Sequence, residues 1–307
     1  MGGLVGVGRA ARAAWALLVL SACQASGPSP GSTAPPGTIT VASFDFPESE
    51  VLAEVYGQAL RGAGLPVRVE ANLGPRELVE PALLRGLVDL VPEYAGAALA
   101  FLAPERKGTA DPAAAHAALE RALASTSAAA LAGAPAQDAN AFAVTRTTAA
   151  RYGLRTVSDL APLAGKLILG GPPECPQRQL CLAGMQRVYH LHFRDFAPLD
   201  TGGALTKSAL SSGDVDVALV FTSDPAVAER GFVLLEDDRH LEPAENVTPV
   251  VSRDLVRRYG DRLTRPVDAV SARLTTAQLV SLNRAVANGR SPAAAAAAWL
   301  QQQGLFP

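Results

Sequence analysis

At 307 residues, 49% hydrophobic and 18% charged, the chain lies far from the low-hydrophobicity, high-charge composition of disordered segments and can bury a sizeable core. Its formal net charge is -2 and its basic residues are scattered, which excludes the dense positive footprint of a nucleic-acid binder. Lysine is scarce, with only Lys107, Lys166 and Lys207, so a lysine in this chain is an unusual choice.

Arg9 and Arg12 precede an apolar stretch, residues 13–20, that is too short to cross a bilayer and has the proportions of a signal peptide over 1–22. It ends on Leu20-Ser21-Ala22-Cys23, which resembles a bacterial lipobox with Cys23 as the lipid-modified amino terminus. Acyl chains hold by about 0.8 kcal/mol per buried methylene, enough to tether a protein to a membrane surface. The Gly/Ser/Pro-rich run 26–37 is then a flexible spacer, so 23–37 reads as lipidated terminus plus linker.

Short apolar runs next alternate with helical patterns: 39–42, 48–60, 67–70, 76–85 and 88–91. That alternation marks an α/β domain. In the first helix Val51, Leu52, Val55 and Leu60 share a face, and Pro47 stands near its start, where a missing N–H costs nothing. Leu78, Val79, Ala82 and Leu83 repeat the logic in the second. The small-residue stretch 133–140 reads as a connector. A second set follows, with 141–145, 166–169, a helix around 185–191, and 215–221. In the last block 247–251 is a buried-looking strand and 263–300 is almost continuous helix, with Thr275 and Gln278 spaced as a capping box and Gly289 as a stop. A block this short is expected to fold back on the first, giving two lobes joined by two crossings: lobe I from 38–140 plus 245–307, lobe II from 141–244.

Cys175 and Cys181 are the cysteines left once Cys23 is acylated, and in an exported protein they are expected to pair. No metal is expected, because His116, His190, His192 and His240 lie at no ligand spacing with them. Gly6-Val7-Gly8 imitates part of a dinucleotide fingerprint but no strand precedes it. Nucleophile elbow, phosphate loop and zinc-protease motifs are missing, so the chain is expected to need no cofactor and not to be an enzyme.

The remaining motifs fall in one order: Ser43-Phe44-Asp45-Phe46-Pro47-Glu48-Ser49, Leu73-Gly74-Pro75-Arg76-Glu77, Pro92-Glu93-Tyr94-Ala95-Gly96, Gly170-Gly171-Pro172-Pro173-Glu174-Cys175, Leu199-Asp200-Thr201-Gly202-Gly203, and 215–218 running into Phe221-Thr222-Ser223-Asp224. This series resembles the substrate-binding proteins of glycine betaine, choline and proline-type (osmoprotectant) ABC importers over nearly the whole mature chain. The resemblance implies a two-lobed α/β periplasmic-binding-protein fold of type II, with a small-molecule solute held in the cleft between lobes. It implies ABC permease and ATPase subunits as partners, and a place on the extracytoplasmic face of the bacterial cell membrane.

In that family a quaternary ammonium sits in a cage of aromatic rings, since a methylated cation is attracted to ring faces. By position Tyr94 matches the first cage tyrosine, Phe221 keeps a ring where tyrosine is frequent, and Asn140 and Lys207 stand where the family often has tyrosines; Phe44 replaces a common lysine. Arg178, on the loop between the cysteines, is a candidate carboxylate clamp. Each has a second reading: Tyr94 and Phe221 as interface packing, Lys207 and Arg178 as solvated side chains, and Arg76 with Glu77 as stabilisers of a helix start. The expected role is capture of a quaternary-amine or zwitterionic compatible solute, with glycine betaine bound weakly or not at all because the cage is incomplete. The alternatives are an anionic or aromatic solute, or an extracytoplasmic sensor or interaction module.

Overall fold

In the computed structural model, which describes Gly2 and residues 37–305, two five-stranded sheets are built on one plan. The proposed signal peptide, Cys23 and nearly all of the spacer lie outside the described residues. The first sheet contains β1 (Ile39–Ala42), β2 (Val67–Glu70), β3 (Leu90–Tyr94) and β4 (Ala128–Ala130), and adds β10 (Val247–Ser252) from near the end of the chain, in the order β2-β1-β3-β10-β4. The second is made of β5 (Asn140–Thr145), β6 (Ile168–Gly171), β7 (Asp195–Pro198), β8 (Val217–Phe221) and β9 (Phe232–Leu235), in the order β7-β6-β8-β5-β9. Each sheet has three parallel strands followed by one antiparallel strand that entered over a crossing: β10 against β3, and β5 against β8. The fold class is therefore mixed α/β with two sheets.

The helices are α1 (Pro47–Gly62), α2 (Arg76–Leu84), α3 (Ala95–Leu102), α4 (Pro112–Leu123), α5 (Arg146–Tyr152), α6 (Leu182–Gly184), α7 (Ala204–Ser212), α8 (Pro225–Glu229), α9 (Arg253–Tyr259), α10 (Asp261–Arg273), α11 (Thr276–Ala287) and α12 (Pro292–Gln302). Pro47 opens α1, and Glu48 and Glu50 lie in its first turn, where negative charge suits the helix dipole. Val51, Leu52, Val55 and Leu60 are buried, as their spacing predicts, and Tyr56 on the same helix donates to or accepts from Ser271 of α10 at 3.0 Å. Fully burying one such aliphatic side chain contributes about 1.5–3 kcal/mol, so α1 anchors the first core.

Three expectations shift. The stretch 263–300 is three helices, broken at Leu274 and again at 288–291; Thr275 and Gln278 do form a capping box, but it opens a new helix, and Gly289 takes φ 88° beyond the end of α11. The third strand runs through Pro92 to Tyr94 instead of ending at 91, and Pro92 faces Pro249 across the ladder. Around 185–189 the helix widens to a π-helical turn that ends on His190 at φ 58°.

The two crossings run side by side. Gln137 pairs with Asn246, the Asp138 N–H donates to the Glu245 carbonyl at 3.1 Å, and the Val247 N–H donates to the Ala136 carbonyl at 3.0 Å. No helix among the described residues is long and apolar enough to cross a membrane.

Candidate functional site

Strand ends facing the crossings deliver the site. Phe46 follows β1, Tyr94 closes β3, Pro172 follows β6, Thr201 follows β7 and Phe221 closes β8, and all five line a cavity of about 310 Å³ between residues of the two sheets. Ligands of open α/β sheets collect at such carboxyl ends. The crossings supply two more lining residues, Asp138 and Glu245.

Aromatic rings form one wall. Phe46 is the hub, with its ring centroid 5.2 Å from that of Phe221, 6.2 Å from Tyr94 and 6.0 Å from Phe44. Such spacings suit tilted and offset ring contacts, and the faces they leave attract cations. Phe44 does not line the cavity; it is buried behind Phe46, and the Arg76 guanidinium lies over its ring at 4.9 Å. Phe46 was not singled out from sequence. Its signal was there: residues two apart in an extended segment point the same way, so Phe44 and Phe46 had to share a side.

Polar side chains on the wall are already engaged. Arg76 donates to Glu93 through Nε at 2.9 Å and Nη2 at 3.0 Å. Arg178, on the loop closed by the Cys175–Cys181 disulfide, donates to Glu77 of α2 through Nε at 3.0 Å and Nη2 at 2.7 Å, which joins the two halves across the cavity. Burial pushes the Glu77 carboxyl up, and the Arg178 hydrogen bond and charge outweigh it, holding Glu77 below its ordinary value. Asn140 stands beside Phe221 in the ladder and donates to the Leu180 carbonyl at 3.2 Å and to Glu242 at 3.4 Å. The Tyr94 hydroxyl donates to Glu48 at 2.6 Å, and Glu48 also accepts from Ser223, which follows β8, and from Asn283 of α11. Lys207 is not among the lining residues: its ammonium donates to Asp224 at 2.6 Å, beside the start of α8.

Carboxyls without a cation of their own complete the site. Asp138 accepts from the Ser223 N–H at 2.8 Å and from Thr222 Oγ1 at 3.1 Å, and burial with the nearby Glu48 charge raises it well above the ordinary carboxylate range. Glu245 accepts from the Ala97 N–H at the start of α3 at 3.0 Å through one oxygen, while its Oε1 is buried with no partner among the described residues. Burial pushes Glu245 up to about 8, partly offset by the Ala97 N–H and the Arg76 charge. The fit of this segment to α3 requires glycine at 96, where a Cβ would stand 2.2 Å from Pro243 and 2.9 Å from Glu245 Oε1.

A protein-family model described as the substrate binding domain of ABC-type glycine betaine transport system matches residues 37–302. The chain is 24% identical to a carnitine transport binding protein of Listeria monocytogenes, covering 94% of this chain and 93% of that protein. It is 27% identical to a glycine-betaine-binding protein of Pseudomonas aeruginosa, over 88% and 89%. A crystal structure described as a glycine betaine/carnitine/choline ABC transporter superposes with a TM-score of 0.67 at 24% identity, covering 88% of this chain and all of that one, and shares its fold. With strand plan, cavity and family match in agreement, the chain belongs to the family of substrate-binding domains of ABC-type glycine betaine transport systems.

Proposed function

We propose that this protein is the extracytoplasmic solute-binding subunit of an ABC importer, that it captures a small quaternary-amine solute between two lobes, and that it is not an enzyme. The observation that carries the reading is the wall of Phe46, Tyr94 and Phe221 in a cavity between the two sheets. Ring faces hold a methylated cation that hydrogen bonds cannot reach. A solute touching both halves favours the arrangement in which they meet, by its differential affinity for it, and a permease partnered with an ATPase reads that arrangement.

We take the lobes to be 38–140 with 245–307 and 141–244, a division that the crossings paired at 136–138 and 245–247 support as a pivot. Acylation at Cys23 tethers the subunit to the outer face of the membrane, and an acylated Cys23 peptide in the mass spectrum of membrane-extracted protein is its check; a mature chain beginning elsewhere refutes it. An anionic solute suits the cavity poorly, because both guanidinium groups on its wall are held by Glu93 and Glu77.

Calorimetry with trimethylammonium compounds tests the capture. Each cation–π contact contributes about 0.5–2 kcal/mol, so Phe221→Ala should weaken binding by roughly twofold to thirtyfold. Unchanged affinity in that variant would place the solute elsewhere.

A further inference from the structure

Charge in the first half is sorted between the two ends of its sheet. Glu48, Glu93, Asp138 and Glu245 are buried at or beside the cavity, and Glu80 lies behind Glu93. β1, β2 and β3 run toward the cavity, and β10 runs away from it, from Val247 opposite Tyr94 to Ser252. Helices that lead back to the next strand therefore end, and α9 begins, at the far end. Arginines collect there. Arg61 in the last turn of α1 donates to the Val67 carbonyl at the start of β2 at 3.1 Å, Arg85 caps α2, Arg121 lies in the last turn of α4, and Arg257 and Arg258 lie in that of α9. The Arg253 N–H donates to the Ser127 carbonyl at 2.8 Å and the Ser127 hydroxyl donates to the Leu84 carbonyl, which gathers α9, the turn after α4 and the end of α2 into one surface.

A cation in a last turn suits the helix dipole, which accounts for these arginines one at a time. Two neighbours fall outside that account. Arg262 is exposed in the first turn of α10, the wrong end for a cation, and Leu87, in the turn between α2 and β3, is 67% exposed. Asp254 is paired with Arg257, Asp261 with Arg265 and Glu120 with His116. Arg85, Arg121, Arg258 and Arg262 form no ion pair among the described residues, and half-buried Asp89 is the carboxylate near Arg258. The chain also enters here: the Tyr259 hydroxyl of α9 donates to the Gly37 carbonyl at 3.2 Å. From Gly37 back to Cys23 the polypeptide reaches about 50 Å at full extension.

We propose that this end of the first half is a contact face for an anionic lipid surface, with the arginines meeting phosphate headgroups and Leu87 entering between them, so that the cavity points away from the bilayer. The occupant follows from charge complementarity and from the tether. With Cys23 acylated, the reading above on which this one in part rests, a bilayer is never more than about 50 Å from Gly37. Each arginine beside an anionic membrane adds about fivefold to surface partitioning, and the attraction reaches only about 10 Å at 0.1 M salt. Exposed arginines gathered on one face therefore hold that face down. Solute then enters from the side away from the membrane, and delivery to a permease requires the protein to lift and turn.

Protein extracted from membranes and reconstituted into vesicles of phosphatidylcholine, alone or with about 30% phosphatidylglycerol, is the material for the test. Its arginines are modified with phenylglyoxal and the sites read by mass spectrometry. Arg257, Arg258 and Arg262 should react about fivefold or more slowly on the anionic vesicles than on the neutral ones, and salt at about 0.5 M should remove the difference. Exposed Arg151 of α5, in the second half, should react equally on both. Arg258→Gln/Arg262→Gln should take most of the protection from Arg257; should that variant fail a thermal-melt check, the lipid and salt dependence of the wild type decide alone. Protection that is equal on both vesicles, indifferent to salt, or shared by Arg151 overturns the proposal. Protection that grows with protein concentration in the absence of vesicles assigns the face to a second copy and overturns it as well. If Cys23 carries no acyl chain the anchor reading fails separately, and the same outcomes decide this one on protein added to preformed vesicles.

Discussion

Two guanidinium–carboxylate forks line the same cavity and do different things. Arg76–Glu93 lies within the first half, its carboxylate fully buried and its guanidinium spread on Phe44. Arg178–Glu77 joins the disulfide loop of the second half to α2 of the first, and its side chains are 24% and 39% exposed. The hydrogen-bond geometry is nearly the same, so burial and connectivity set the difference. A charge buried in one rigid unit is costly to orphan, whereas a half-solvated pair between units contributes little stability and a good deal of geometry. The first fork builds the wall, and the second reports whether the wall's two halves have met.

Separating these roles gives a graded series. Arg76→Ala leaves Glu93 buried beside the Glu80 carboxyl and the Tyr94 N–H with no cation of its own, and should destabilise the protein by about 3–5 kcal/mol, read from denaturant unfolding. A loss under 1 kcal/mol would make the two forks equivalent. Cys175→Ser/Cys181→Ser removes the frame that carries Arg178; for so short a loop the cost should be about 2 kcal/mol, with the solute affinity falling as the loop loses its hold on Glu77. Unchanged affinity after the loop is opened would show that Arg178 does not contribute to the bound arrangement. Arg178→Ala should move stability least, by under about 1 kcal/mol, yet raise the ligand-free radius of gyration in solution scattering. A scattering profile identical to wild type would mean that other contacts, such as those of Ser223 with Glu48 and Asn283, hold the halves together without the Arg178 fork.

Local patterns announced part of this molecule and were silent on the rest. The faces of α1, the extent of β1 and β2, and the Thr275–Gln278 cap were readable because each depends on neighbours within four positions. Tyr94, Asn140 and Phe221 were placed from short motifs, and the cavity brings all three together. Arg178 also reaches the cavity, but its partner Glu77 lies a hundred positions away in a different half, beyond any spacing rule. Lys207 stands on a helix after a glycine pair, and its sequence position was compatible with either side; Asp224 at the next strand's end settles where its charge goes. The carboxyl pair was invisible for the same reason as the Arg178 fork: Asp138 and Glu245 meet only because two crossings lie alongside each other.

The late arrival of β10 orders the assembly of the chain in time. Every strand of the second sheet lies between Asn140 and Leu235, so that sheet is complete in a nascent polypeptide before Val247 has been added. The first sheet at that moment is split, with β3 and β4 each showing a bare edge where β10 will sit, and such edges invite pairing with other chains. Closing a gap of this length in sequence is slow. The middle of the polypeptide therefore matures before its beginning, and a chain cut short ahead of Val247 would carry one finished sheet and one open, adhesive one.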